Sequence, residues 1–372
     1  KINSILWAVT GPVLLAGTVG AEWQVKAQSI NDALTPTNYN AKEQTSWGSE
    51  NIVPERVGQS LIYVQLGGVT IRELVYSYDI DSFVANHLNI VADHIFRDRG
   101  KAIDIAYERN PFTRIWFVTE NGELVCCTYE KGQEVTAWNR HIIGGSYAGD
   151  MSVVESVESL PGTPNDEVYI IVKRTVNGAT VRYIERIAGD FWPKSDLDKV
   201  NMSFMDSHLS YSGVATSSVS GLDHLEGEEV QIMGDGSVRP SKTVTGGAVS
   251  LEGGSATKIK VGLAYQSLVK TFPIEAGSNS GTAQGKVKRI QALVVRLNSS
   301  IGFSHGIALN KMTKLSFRAT DDPMDSSPPL FSGDKKITLE SSYDTLSQYY
   351  VLQDQPYPLT VLALMPQLVT HR

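Results

Sequence analysis

Residues 114–129 read RIWFVTENGELVCCTY, and this stretch decides the fold class. Two runs rich in β-branched and aromatic residues flank Asn121-Gly122, a dipeptide that tolerates the positive φ angles of a type I′ turn. The pattern therefore predicts a β-hairpin. Two further hairpins are predicted over residues 61–76 and 168–187, with Gly67-Gly68 and Asn177-Gly178 at their turns. Three hairpins with matching turn chemistry predict an all-β protein.

The composition agrees with a β-rich chain and excludes several other classes. The 372 residues include 32 Gly and 15 Pro, with 41 % hydrophobic and 20 % charged residues, so the chain is too apolar to be disordered. Its two cysteines cannot form a disulfide scaffold, and no apolar run has the length of a membrane span. The 33 basic and 40 acidic residues give a net charge of −7, which argues against non-specific nucleic-acid binding by the outer surface.

The first residues predict strands rather than a targeting segment. The chain starts with Lys1 instead of Met, so we expect a fragment or a processed product. Residues 5–21, ILWAVTGPVLLAGTVGA, superficially resemble a signal peptide, but Gly11-Pro12 and two later glycines interrupt the apolar run. We instead expect two short strands joined at Gly11-Pro12, of which the second continues through Glu22-Trp23-Gln24-Val25.

One or two short helices are predicted between the strands. Apolar residues between Phe83 and Phe96 recur at spacings of one, three and four, which is typical of one helix face. Asp81 and Ser82 are candidate caps for its start, and Gly100 is a candidate stop. A second apolar stretch, residues 102–107, ends before Asn110-Pro111, which breaks any helix.

A change in amino-acid composition along the chain predicts three segments. Residues 213–275 are rich in Gly and Ser, have few aromatics and contain short strand-like stretches, which is typical of a small inserted β module. We therefore expect a body over residues 1–212, the module over 213–275, and a return to the body over 276–372. The returning segment contains the strand-like residues 286–297, and residues 357–364 predict the closing strand.

Known catalytic and ligand motifs are incomplete in this sequence. Residues 144–148, GGSYA, lack the last glycine and the helix of a nucleophile elbow, and favour a glycine-rich loop between strands. Residues 281–286 miss the spacing and the Ser or Thr of a phosphate-binding loop. Residues 321–325 are acidic but lack the glycine and glutamate of a calcium-binding EF-hand loop, which favours a solvated loop. The seven histidines (His87, His94, His141, His208, His224, His305 and His371) form no metal-binding motif.

Several residue sets have both a structural and a functional interpretation. Cys126 and Cys127 are adjacent in a predicted strand, so we expect two reduced thiols on opposite faces. The basic residues Lys286, Lys288, Arg289 and Arg296 mark either a DNA-facing strip or an ion-pairing face against another subunit. Glu155 with Glu158 and Asp166 with Glu167 are carboxylate pairs that favour solvated surface over catalysis. Trp116, Trp138 and Trp192 favour core positions over the lining of a binding pocket. No catalytic, cofactor-binding or metal-binding residue is predicted, and residues facing a DNA channel are not identified.

A long ordered series of short motifs between residues 22 and 190 resembles a protein family. It comprises Glu22-Trp23, Leu34-Thr35-Pro36, Trp47-Gly48-Ser49, Val53-Pro54, Ile71-Arg72-Glu73-Leu74, residues 87–96 (HLNIVADHIF), Asn110-Pro111, Ile115-Trp116-Phe117-Val118, residues 135–141 (VTAWNRH), Val172-Lys173-Arg174 and Tyr183-Ile184-Glu185-Arg186. The series resembles the tail nozzle, or tail tubular protein B-type, family of short-tailed bacteriophages, whose relatives are often described as head or DNA stabilisation proteins.

The resemblance implies a fold and a role. It implies an all-β, β-propeller-like body interrupted by a small β-barrel module near residues 224–261, with Tyr357-Pro358-Leu359-Thr360 as the closing segment. It also implies a homo-hexameric ring in the virion tail, assembled in the host cytoplasm below the portal and adaptor, in contact with a tail fibre or spike. Double-stranded DNA would pass through its axis. No cofactor, catalytic residue or membrane insertion is implied.

Two other functions stay open on the sequence alone. The second is a receptor- or carbohydrate-binding propeller at the tip of a tail, which should show a concave, aromatic-lined pocket. The third is a glycoside hydrolase acting on the cell envelope, which should show a cleft with paired carboxylates and shifted pKa values.

Overall fold

A computed structural model describes residues 3–11, 13–29, 32–189, 193–275, 282–322, 326–339 and 343–370. The chain forms two compact units. The first unit comprises residues 1–174 and 180–189, and the second comprises residues 175–179 and 190–372. The predicted segment boundaries at residues 212 and 275 stay a prediction.

The first unit is built from consecutive antiparallel sheets. Strands β1–β4 are Ile5–Val9, Leu14–Thr18, Glu22–Lys26 and Asn40–Thr45, and β5–β8 are Glu55–Val57, Ser60–Val64, Ile71–Ser77 and Ser82–His87. Strands β9–β12 are Ala102–Glu108, Arg114–Thr119, Leu124–Glu130 and Val135–His141, the short pair β13 and β14 is Ser146–Tyr147 and Asp150–Met151, and β15–β17 are Val153–Leu160, Glu167–Val176 and Ala179–Arg186.

Three of these sheets are four-stranded meanders in which each strand pairs with the next along the chain, and the fourth, β15-β16-β17, follows the same pattern with three strands. A four-stranded up-and-down sheet is the blade unit of a β-propeller. The predicted all-β fold with a propeller-like body is therefore confirmed.

The middle strands of the third sheet separate two apolar cores. Cys127 belongs to the core that contains Phe96 and Phe117, whereas Cys126 belongs to the core that contains Trp116. Both thiols are free and buried. This placement confirms the prediction of two reduced cysteines on opposite strand faces, because successive side chains alternate across a sheet.

The predicted helix over residues 83–96 is wrong in its first half. Residues 82–87 form β8, which pairs antiparallel with β7 from Arg72 to Ser77. The one α-helix of the described residues, α1, runs from Asp93 to Arg99 and ends at Gly100, as expected for the stop. Asp81 does not cap it, because Asp81 lies in a left-handed turn after the 3-10 helix Tyr78–Ile80. The second apolar stretch is strand β9.

Two turn predictions are also corrected. The second strand does not continue through Glu22–Val25, because Thr18 and Ala21 close a tight turn (Thr18 N to Ala21 O, 2.9 Å) and β3 then pairs with β2. Asn121-Gly122 does not form a type I′ turn. Gly122 alone has positive φ, and its N–H donates to Thr119 O at 2.8 Å. This geometry is the longer hairpin loop with a glycine bulge.

The second unit contains a small β module with its own core. Its strands β18–β23 are Asp206–Thr216, Ser218–Ser220, Glu229–Gly234, Ser237–Thr243, Ala248–Ser250 and Ala256–Leu263. They form the sheets β18-β23-β20-β21 and β19-β22 around a separate apolar core that includes Leu225, Ile232 and Ile259. Short 3-10 helices occur at Asp198–Asn201 and Asp223–Leu225, and another lies in the first unit at Lys131–Gln133.

Two further sheets complete the second unit. Strands β24–β30 are Ser267–Lys270, Lys288–Ser300, Phe303–Ala308, Lys311–Leu315, Phe331–Thr338, Tyr350–Gln353 and Val361–Thr370. They form the sheets β24-β29-β26-β27 and β28-β25-β30. The closing strand β30 begins later than predicted, and Tyr357 lies before it, where its hydroxyl accepts a hydrogen bond from Val238 N at 3.0 Å. No helix in the described ranges has the length and apolarity of a membrane span.

Candidate functional site

A polar cleft lies within the first unit, at the first strands of three successive sheets. Strand β9 packs against both β5 and β15, so the ends of these strands converge. The cleft has a volume of about 250 Å³. Its lining residues come from the ends of these strands and the loop before β16: Glu55, Arg56, Tyr107, Arg109, Ser159, Pro161 and Asp166.

Glu55 is the most perturbed carboxyl group of the cleft. Burial and, to a smaller extent, the negative charges of Glu158 and Asp104 together raise its pKa to about 7. Its carboxylate makes no side-chain hydrogen bond among the described residues. A partly buried carboxyl without hydrogen-bond donors resists ionisation, because the carboxylate would lose part of its hydration and no protein donor would replace that water.

The two neighbouring carboxylates differ in how firmly they are held. Asp104 accepts hydrogen bonds from Ser156 Oγ at 2.8 Å and from Val157 N at 3.0 Å, so its charge is fixed by strand β15. Glu158 is exposed and accepts a hydrogen bond from Ser159 N at 3.1 Å. Asp104 therefore has a structural role, whereas the carboxylate of Glu158 lies on the exposed surface beside the cleft.

A second carboxylate orients a guanidinium on the other side of the cleft. Asp166 Oδ2 accepts hydrogen bonds from Arg109 N at 2.9 Å and from Arg109 Nε at 3.3 Å. Burial acts to raise the pKa of Asp166, but the hydrogen bonds from Arg109 and Gly162 outweigh it and lower the pKa. Asp166 is therefore a stable anion that binds Arg109 through its backbone N and Nε and not through its terminal nitrogens.

The carboxylate pairs predicted from the sequence separate into two groups. Asp166 lines the cleft, and Glu158 is an exposed residue next to the lining residue Ser159, whereas their partners form surface ion pairs. Glu155 accepts hydrogen bonds from Arg182 at 2.7 and 3.1 Å, and Glu167 pairs with Arg186. Glu55 was missed, because nothing in its local sequence distinguishes it from a surface glutamate.

The tryptophans lie in cores rather than in the cleft. Trp116 is buried, and its Nε1 donates to Glu108 Oε2 at 2.8 Å. Trp138 is half-buried and packs edge-on against Phe96. These placements confirm the predicted core positions of both residues, while Trp192 lies outside the described residues.

The remaining candidate sites are not assembled. His87 lies in β8 and His94 in α1, and no group of three or more His, Cys, Asp or Glu side chains within the described ranges is placed to hold a metal ion. Residues 144–148 form a loop and the short strand β13, and Gly144 O accepts a hydrogen bond from Arg174 Nε at 2.8 Å, as expected for a structural glycine loop. Gly281, residues 323–325 and His371 lie outside the described residues.

The basic stretch does not form an exposed strip. Lys288 is buried, and its Nζ lies 3.3 Å from Ala283 O. Arg296 is engaged in a two-pronged ion pair with Asp334 at 2.7 and 2.8 Å. An alternating strand places Lys288 inward, so the interpretation as a DNA-facing strip through Lys286 and Lys288 is wrong.

Comparisons with known proteins give no family. No protein-family model matches the chain, and no curated protein matches it. In structure it is similar to an exo-β-1,3-galactanase from Phanerochaete chrysosporium with β-1,3-galactotriose, at 9 % identity over 95 % of this chain and 78 % of that chain, with a TM-score of 0.24. A second structure of that galactanase has 8 % identity over 99 % of this chain and 96 % of that chain, with a TM-score of 0.27. Both scores are too low to carry an argument about function.

Proposed function

We propose that the chain is a structural virion protein of the tail-nozzle type, which forms a ring by self-association and lets double-stranded DNA pass. The proposal rests on the motif series between residues 22 and 190 that resembles this family. The blade-like sheets of the first unit and the separate small module of the second are the architecture that the resemblance implies.

The observation that favours a role in assembly is the edge strand β24. It pairs with β29 on one side only, and all four of its residues are exposed. Leu268 is 47 % exposed, Val269 is 56 % exposed, and nearby Phe272 is 88 % exposed. The strand is short and ends in Lys270, but Leu268, Val269 and Phe272 give this unpaired edge an exposed apolar surface for another chain to cover.

A second edge strand of the same unit, β30, is also apolar. Strand β30 is ten residues long, contains no charged residue and buries none of its side chains. Pro366 has no backbone N–H to donate, and an edge strand is where a sheet tolerates proline. Two apolar edges on one unit are consistent with a subunit that is covered by neighbours in its working state.

The assembly role is tested by native mass spectrometry of the chain together with its adaptor protein. The proposal predicts a homo-oligomer of six copies, each of 40.6 kDa. A chain that stays monomeric with the adaptor present would contradict it.

The second candidate is the receptor- or carbohydrate-binding propeller, and the polar cleft is the observation that favours it, although Tyr107 is the one aromatic residue among its described lining residues rather than part of the expected aromatic surface. A glycoside hydrolase is less well supported. Its general acid needs a raised pKa, as Glu55 has, but it also needs a second free carboxylate. Asp104 is fixed by strand β15, and Asp166 is paired with Arg109. Neither Asp104 nor Glu158 lines the cleft.

A further inference from the structure

We propose that the cleft of the first unit binds one ring of a neutral saccharide, with Glu55 accepting hydrogen bonds from sugar hydroxyls and Arg109 donating to them. This inference deepens the carbohydrate-binding candidate and is independent of ring assembly. The saccharide-site proposal and the nozzle proposal can therefore fail separately. The saccharide site belongs to one unit of a single chain, whereas the nozzle is an assembly of several copies of the chain.

The unmet hydrogen-bonding capacity of Glu55 is the first argument. The carboxyl is partly buried, lines the cleft and has no side-chain donor among the described residues. A partly buried acceptor without a protein donor keeps its hydrogen-bonding capacity available, and a ligand hydroxyl in the cleft would use it. Vicinal sugar hydroxyls are suitable partners, because a carboxylate offers two acceptor oxygens side by side.

The preorganised guanidinium of Arg109 is the second argument. Asp166 holds its backbone N–H and its Nε, so the side chain is oriented before any ligand arrives. The terminal nitrogens of the half-exposed guanidinium make no hydrogen bond among the described residues. A hydroxyl group both donates and accepts hydrogen bonds, so different hydroxyls of one sugar ring can donate to Glu55 and accept from Arg109, which neither a simple cation nor a simple anion does.

The size and charge of the cleft select the ligand class. A volume of about 250 Å³ is just below the range of drug-sized ligand sites and fits one sugar ring with part of a neighbour. Carboxylates and guanidinium groups line the same space, so a net charge of either sign meets repulsion. Tyr107 and Pro161 add apolar surface for the C–H faces of a sugar ring.

The test is titration of the purified full chain with maltotriose, cellotriose and lactose, followed by saturation-transfer NMR and calorimetry. We expect at least one of these neutral sugars to bind with a Kd of about 1 mM or lower. At about pH 8, Glu55→Gln should weaken that binding about tenfold or more, because it removes a charged hydrogen-bond acceptor. Glu43→Gln, on the exposed strand β4, is the matched control and should bind as the unchanged chain does.

Three outcomes would overturn the saccharide site. These are no binding of any of the three sugars, equal binding by Glu55→Gln and the unchanged chain, or binding of trigalacturonate in preference to the neutral sugars. Thermal unfolding of both variants establishes that the fold is retained. Oligomer mass measured on the same variants separates this result from the nozzle proposal, since neither substitution touches the edge strands β24 and β30.

Discussion

Arg174 donates two hydrogen bonds to the carboxylate of Glu185, at 2.5 and 3.0 Å, while only 1 % of its side chain is exposed. A third hydrogen bond, from its Nε to Gly144 O at 2.8 Å, ties the pair to the loop before β13. The planar guanidinium thus joins strands β16 and β17 to a separate loop, which a lysine cannot do with one ammonium group.

Removal of this guanidinium should destabilise the protein strongly. We expect Arg174→Ala to lower the free energy of unfolding by about 3–5 kcal/mol, because Glu185 would keep a largely buried charge without its partner. Replacement of both residues, Arg174→Met with Glu185→Leu, should cost less than the single change. Urea unfolding measures both variants. An Arg174→Ala midpoint equal to that of the unchanged chain would show that the pair contributes nothing.

Stability should depend on pH through Glu55. Below pH 4.5 the Glu55 carboxyl is protonated in both the folded and the unfolded chain. As the pH rises, the unfolded chain loses this proton first, whereas the folded chain retains it up to about pH 7. Folding stability therefore falls across this window. Above it, Glu55→Gln should be more stable than the unchanged chain by about 1–2 kcal/mol, a value reduced for solvent screening of a side chain this exposed.

The check on this prediction is the free energy of unfolding measured from acid to mildly alkaline pH. The two chains should coincide at the acid end and diverge towards neutrality, while the control Glu43→Gln should follow the unchanged chain throughout. A constant difference between Glu55→Gln and the unchanged chain at every pH would mean that Glu55 titrates normally.

Gly48 is required by both its conformation and its neighbours. Its φ is +74°, and an added Cβ would lie 2.2 Å from Val19 O, a backbone atom. Gly58 also has positive φ (+61°), but no atom lies within 4 Å of an added Cβ. We expect Gly58→Ala to cost about 1 kcal/mol from backbone strain alone and Gly48→Ala to cost clearly more. Equal melting temperatures for the two variants would contradict the close approach to Val19.

The edge strand β24 gives a direct test of the assembly surface. Val269→Lys places a charge on an exposed, unpaired edge, which is a common way in which proteins prevent strand pairing. We expect the variant to fold normally but to form fewer oligomers in native mass spectra. Leu197→Lys, at a side chain that is 87 % exposed outside any strand, is the control. If both variants assemble alike, β24 is not part of the subunit interface.

The hairpins could be predicted because their determinants are local. Gly67 and Gly68 have positive φ, as do Asn177 and Gly178, and the β-branched residues on either side favour extended backbone. The helix prediction failed at residues 82–87 because so short a run of apolar residues fits both the period of a helix, about 3.6 residues, and the period of a strand, about two residues. Pairing of β8 with β7 satisfies the backbone hydrogen bonds there, and this long-range contact outweighs the local pattern.

The cleft could not be predicted, because it depends on three sheets. Glu55, Arg109 and Asp166 are about fifty or more positions apart in sequence and line one cleft only because the first strands of consecutive sheets pack together. The same reason explains the error at Lys288, which pairs with Thr370 of β30 and forms a backbone bridge with Asp344, both far away in sequence. Charge patterns along one strand indicate a face, but they do not indicate what covers that face.

The measurement that tests the central claim most directly is electron microscopy of the protein, alone and with its adaptor, with the rotational symmetry of the particles determined from class averages. The nozzle proposal predicts closed six-fold rings with an open axis wide enough for double-stranded DNA. Particles that stay monomeric in both samples, or rings with a closed centre, would contradict it.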